Sequence, residues 1–177
     1  MEAARLTVQD LGYGGLSFRE LAKDVGIKSA SIHYHFPTKG ELVVAILRDY
    51  TAYHEALLHG IETEGADGGA LLRHYTDMFR RTLLNGNRMC LAGMLSAERN
   101  ELPEGVGTEL VRWGEMNEGW IARVLGPGDD GDADWRRHRA RAIFAAVSGA
   151  QMIAHGRNDI ATYDEVIVAY RGSGLIP

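Results

Sequence analysis

Cysteine is nearly absent from this chain. Cys90 is the only one among 177 residues, which excludes an internal disulfide and suits a reducing, cytoplasmic setting. Proline is scarce too. There are four, at 37, 103, 127 and 177, and the first three stand where helices would start or stop. No apolar run approaches the ~20 residues that a membrane crossing needs, and no charged leader precedes an apolar stretch. Period-two alternation, internal repeats and low-complexity tracts are missing as well. So is any surplus of positive charge: the net charge is −5, which is awkward for a chain bound to a polyanion. Its distribution softens the objection. Residues 1–50 hold six basic groups (Arg5, Arg19, Lys23, Lys28, Lys39, Arg48) and six acidic ones (Glu2, Asp10, Glu20, Asp24, Glu41, Asp49), so the excess acid lies in the remainder.

Catalytic groupings are missing too. There is no phosphate-cradling glycine loop, no nucleophile elbow and no paired acid and base in a known motif. His54 and His59 are five residues apart, about 140° round a helix, so they cannot share a metal. Asp129, Asp130, Asp132 and Asp134 lack the spaced ligands and closing glutamate of a calcium loop. The chain reads as a non-enzyme that needs no cofactor and no metal.

What is present is helical nearly throughout. Helices are expected over 2–11, 17–25, 28–35, 39–58, 70–84, 89–100, 104–125, 134–154 and 163–170. The most informative stretch is 17–39. Ser17 followed by Glu20 predicts a capping box, and Phe18, Leu21, Ala22 and Val25 recur at helical spacing. Gly26 is free to take the positive φ that turns the chain. Ile27 and Ile32 are expected to anchor the next helix inward. Lys28, Ser29, Ser31, His33, Tyr34 and His35 then offer donors and acceptors on its outer side. Two short helices set across a tight glycine turn make a helix-turn-helix, the geometry that presents one helix to a DNA major groove.

The same residues carry a resemblance. Gly12-Tyr13, Ser17, Leu21-Ala22, Val25-Gly26-Ile27, Ala30-Ser31-Ile32 and Tyr34-His35-Phe36-Pro37-Thr38-Lys39 resemble the DNA-binding signature of TetR/AcrR-type transcriptional regulators. The likeness covers roughly residues 3–50. Two positions depart from it: Lys28 replaces the usual Ser or Thr cap, and His33 replaces the usual Tyr. The resemblance implies an all-α chain with a DNA-binding head (1–48) and an effector-binding, dimerising body (49–177). Ser17, Arg19, Lys28, Ser29, Ser31, His33, Tyr34, His35, Thr38 and Lys39 are the candidate DNA contacts. Lys28 and Ser31 suit base edges or phosphate, and Tyr34 and His35 suit phosphate or a thymine methyl. Thr38 and Lys39 open a helix whose free amides attract a phosphate.

In the body, Trp113, Met116, Asn117 and Trp120 share one helical face. With Tyr75, Met78, Phe79, Cys90 and Met94 they are either core or the lining of an adaptable apolar pocket for a small-molecule effector. Ala142, Ile143, Ala146, Val147, Ala150 and Ile153 form a small, aliphatic stripe suited to a two-fold helix pair, or else to packing within one subunit. Cys90 is either an inert buried thiol or a sensor whose ionisation Arg88 would favour. Together these features predict a homodimeric repressor released from a palindromic double-stranded DNA operator by an effector. The alternative is a helical small-molecule binding protein that does not touch DNA.

Overall fold

The computed structural model describes residues 1–63, 67–126 and 133–177. The aspartates at 129, 130 and 132 lie outside these residues. Among the described residues there are nine α-helices, a 3-10 turn and no strand. The helices are α1 (Glu2–Gly15), α2 (Phe18–Asp24), α3 (Ser29–His35), α4 (Lys39–Thr63), α5 (Gly68–Leu84), α6 (Leu91–Ala97), α7 (Glu104–Val124), α8 (Ala133–Arg157) and α9 (Ile160–Gly172). No helix among these residues is long and apolar enough to cross a membrane.

The starts of α6 and α9 differ from the sequence expectation, each for a local reason. Sγ of Cys90 accepts a hydrogen bond from the Gly93 amide at 3.1 Å, so α6 begins after it. The segment then tightens into a 3-10 turn at Arg99–Glu101 before Pro103. Asp159 caps α9 by accepting from the Ala161 amide at 3.0 Å and the Thr162 hydroxyl at 2.9 Å. That starts the helix at Ile160.

The chain forms two compact units. The first comprises residues 1–53 and 90–113, so α6 and the first part of α7 pack with the head. Its core is built from Ala4 and Val8 of α1, Leu21 of α2, Ile32 of α3, Leu42, Val43, Ile46 and Leu47 of α4, and Leu91 and Leu95 of α6. Tyr50 closes it against Trp113, ring centroids 5.1 Å apart. Each large apolar side chain removed from water contributes about 1.5–3 kcal/mol. Inside α1, Gly12 sits at φ 72°, ψ −177°, a conformation that only glycine adopts at low cost. The bend lets the Tyr13 amide donate to Oε2 of Glu98 at 2.7 Å. A Cβ at Gly12 would collide with that carboxylate.

The second unit comprises residues 54–89 and 114–177. Here α5, α8 and α9 pack on one another. Helix α5 buries Leu71, Leu72, Tyr75, Phe79 and Leu83, and α8 answers with Ile143, Val147, Ala150 and Ala154, each fully buried. Gln151 donates to the Phe79 carbonyl at 2.9 Å, and the Tyr163 hydroxyl donates to the Thr76 carbonyl at 2.8 Å.

Candidate nucleic-acid interface and ligand cavity

The head places α2 and α3 across Gly26, which takes φ 71°. The expected capping box at Ser17 does not form. Ser17 makes no side-chain cap, and the Glu20 carboxylate that would close the other half of the box is held by Arg19 and Lys23 at 3.1 and 2.9 Å. Those hydrogen bonds also hold the Glu20 pKa below the ordinary carboxylate value. The reciprocal box forms instead at α4. The Glu41 amide donates to the Thr38 hydroxyl at 3.2 Å, and the Thr38 amide donates to the Glu41 carboxylate at 3.0 Å. A carboxylate therefore already occupies one of the donors that the sequence offered to a phosphate. Lys28 precedes α3 without any side-chain cap.

On α3 only Ile32 is buried. Ile27 and Val25, expected inside, are 49% and 45% exposed. Ser31, His33 and His35 are exposed, Ser29 is half-buried, and Tyr34 is 84% exposed. His33 packs edge-on to Phe18 with centroids 4.6 Å apart, which braces α3 against α2. Tyr34 meets His35 in the same edge-on way at 5.1 Å. Lys39 is committed inward. Its ammonium donates to the Tyr13 carbonyl at 2.9 Å and lies 4.1 Å from the centre of the Tyr13 ring. With Arg5 on Glu2 and Arg48 on Glu109, Lys28 is the one basic side chain of residues 1–50 without a hydrogen bond or ion pair among the described residues.

The second unit holds a cavity of about 260 Å³. It is lined by Glu55, Leu58, His59 and Glu62 from α4 and by Glu115, Met116, Gly119, Trp120 and Arg123 from α7. Of the expected effector residues, Met116 and Trp120 reach this wall. Tyr75 and Asn117 form a buried pair, the phenol donating to Oδ1 at 2.9 Å. Tyr75 also stacks on Trp120 with centroids 5.5 Å apart and packs against Phe79 at 5.3 Å. Met78 is half-buried on α5. Cys90, Met94 and Trp113 lie in the first unit. The sequence reading overlooked the charged half of the wall. Its signal was present: 55, 58, 59 and 62 on α4, and 115, 116, 119, 120 and 123 on α7, each fall on a single helical face.

Residues 1–46 match the family described as bacterial regulatory proteins, tetR family. The head is of the TetR type, and the fold is that of TetR regulators. The chain is similar to a TetR transcriptional regulator from Legionella pneumophila, with 27% identity and a TM-score of 0.90 over 97% of this chain and 93% of that one. It is similar to a TetR-family transcriptional regulator from Agrobacterium tumefaciens, with 28% identity and a TM-score of 0.83 over 93% and 90% of the two chains. A regulatory protein TetR from Rhodobacter sphaeroides shares the fold at 20% identity and a TM-score of 0.85, over 96% and 93%. Among curated proteins none matches the sequence.

Two features of the chain depart from expectation. Burial pushes the Cys90 thiol from 9.0 up to about 11, and the Gly93 and Ala92 amides offset that only partly. Arg88 is engaged with Asn85 at 3.0 Å and is not among the groups that move this thiol. The expected dimer stripe is also split. Ile143, Val147 and Ala150 are fully covered within the single chain, so they are corrected to core. Ala142 and Ile153 are exposed and Ala146 is half-buried.

Proposed function

We propose that this chain is a homodimeric, cytoplasmic repressor that holds a palindromic operator and is released when a small molecule occupies its body. The observation that carries the reading is the outer face of α3. Ser31, Tyr34 and His35 stand clear of the core beside the unengaged Lys28, while Ile32 alone anchors the helix. A helix presented this way suits the major groove, with Ser31 and Lys28 toward base edges and Ser17, Thr38 and the α4 amides toward phosphate. Two heads are required, because one neutral head gathers little counterion-release energy.

Helix α4 runs from Lys39 to Thr63, and its two ends belong to different units. An effector on its second half acts on the element that carries the head on its first. A release of about tenfold to hundredfold needs only ~1.4–3 kcal/mol of coupling, provided that the effector binds the two states unequally. A second copy is expected to pack on the exposed side of α8 and α9, at Ala142, Ala145, Gly149, Met152, Ile153 and Val168. Small residues there let helices approach closely.

Gel shift against DNA upstream of the chain's own gene, at two salt concentrations, tests the reading. A retarded band that weakens with salt and disappears in Ser31→Glu supports it. A second reading, a small-molecule binder without DNA contact, is favoured by one observation: most head cations are neutralised internally. Absence of binding at both salt concentrations would favour that alternative.

A further inference from the structure

Within the first unit, α1, α6 and α4 meet at one backbone stretch. Gly12 holds φ 72°, ψ −177°, a region that persists only where neighbouring groups enforce it. Two charged side chains do so at Tyr13. Glu98, the residue that ends α6, accepts from the Tyr13 amide at 2.7 Å through Oε2. Lys39, the first residue of α4, donates to the Tyr13 carbonyl at 2.9 Å and lies 4.1 Å from the centre of its ring. Tyr13 thus carries an anion on its amide and a cation on its carbonyl and ring. Both hydrogen bonds are charge-assisted and so stronger than neutral ones. Glu98 and Lys39 are half-buried, which lessens screening by salt. The start of α4 is thereby tied, through Tyr13, to the end of α6. Glu98 leads straight into the 3-10 turn at Arg99–Glu101 and then α7. Like α4, α7 has its two ends in different units.

We propose that Glu98 is a positioning residue for operator binding: it fixes the Tyr13 backbone, which seats Lys39 and so sets where α4 presents its first turn to a phosphate. This deepens the regulator reading and rests on it for the DNA consequence. Lys39 is then a clamp inside the head, and the amides of α4, not this ammonium, meet the phosphate. Helix α7 gives the body a second line to the head, which enters at Glu98 and is separate from α4. A shift of α7 that withdraws the carboxylate frees Gly12 to relax and unseats Lys39. Residues that couple sites in this way change binding by about two- to thirtyfold.

Two measurements on the full chain test this, one without DNA and one with it. Glu98→Ala removes the acceptor, whereas Glu98→Gln keeps one in its side-chain carbonyl. In NMR spectra without DNA, the Lys39 Cε protons are expected upfield in the native chain, shifted by the Tyr13 ring. Glu98→Gln keeps that shift and Glu98→Ala loses it. In fluorescence anisotropy on the upstream DNA, Glu98→Ala is expected to weaken binding about tenfold with an unchanged salt slope, and Glu98→Gln to bind as the native chain does. Lys39→Met weakens binding similarly, and Glu98→Ala with Lys39→Met weakens it no further, because the two side chains act as one unit. Thermal melts fix a temperature at which every variant is folded. A lower melting temperature for Glu98→Ala with native affinity below it overturns the proposal, as does a Lys39 signal that ignores Glu98→Ala. A slope flattened by about 0.9 per subunit in Lys39→Met, or additive losses in the double variant, overturns it too, since Lys39 would then meet phosphate directly. If the native chain and Glu98→Ala bind DNA alike, the positioning role falls and the regulator reading stands. If the native chain binds no DNA while Glu98→Ala unseats Lys39, the regulator reading falls and the linkage through Tyr13 stands.

Discussion

Lys28 illustrates how local pairing decides what a charge can do. Five of the six cations in residues 1–50 are paired within the chain, with Glu20, Glu2, Glu109 or Tyr13, so the proposed reading assigns a phosphate contact to Lys28. Removing one phosphate contact per subunit lowers the slope of log affinity against log salt by about 0.9 for each. Lys28→Ala is therefore expected to flatten the dimer's slope by about two, as measured by fluorescence anisotropy on operator DNA from low to moderate salt. An unchanged slope would move the phosphate contact elsewhere. Cys90 makes the complementary point. Its thiol is raised to about 11, so the folded chain keeps its proton longer than the unfolded chain does. Stability supplied by this group is intact below about pH 9 and falls by about 1.4 kcal/mol per pH unit from there toward 11. Native protein at pH 8 should react with a thiol reagent only at its unfolding rate. Rapid stoichiometric labelling would show that the thiol is ionised and reachable.

Helical elements were legible where the apolar spacing was regular. Helices α5 and α7 and the α2–Gly26–α3 turn follow directly from it. Helix ends were less legible, because caps depend on which partner a carboxylate chooses. Glu20 and Glu41 both stand three residues after a hydroxyl, yet only Glu41 completes its box, and Glu20 is held by Arg19 and Lys23 instead. Faces of α8 were hard to assign for a different reason: alanine, valine and isoleucine surround the helix, so composition does not say which side faces inward. The cavity's acidic wall was missed because glutamates on a helix ordinarily read as solvated surface. The buried pair between α5 and α7 offers a quantitative check. Tyr75→Phe removes this buried hydrogen bond with little change of volume and should cost about 1 kcal/mol. Asn117→Ala removes the same bond and the buried amide with it and should cost about 1–3 kcal/mol. Urea denaturation should rank the two in that order, and no loss of stability in either variant would mean that the bond contributes nothing net.

At the scale of the whole molecule, the reading depends on two copies. Met152, Ile153 and Val168 are 56%, 45% and 64% exposed in the single chain, and Ala142, Ala145 and Gly149 extend the same side of α8. Met152→Glu together with Val168→Glu should convert a micromolar sample from twice the chain mass to 19.4 kDa, as measured by light scattering. Operator binding should weaken at least tenfold, while the melting temperature should hardly move because these side chains bury nothing within the subunit. A sample that stays at twice the chain mass would place the interface on another face.

Glu98 has a practical consequence. The carboxylate that holds the bend at Gly12 and Tyr13 comes from a segment some eighty-five positions downstream in sequence. Grafting this reading head onto another body, as in building a sensor with new specificity, cannot be done by cutting the gene within α4. Residues 90–113 must travel with it. A chimera that omits them should melt early, and restoring that segment alone should recover it.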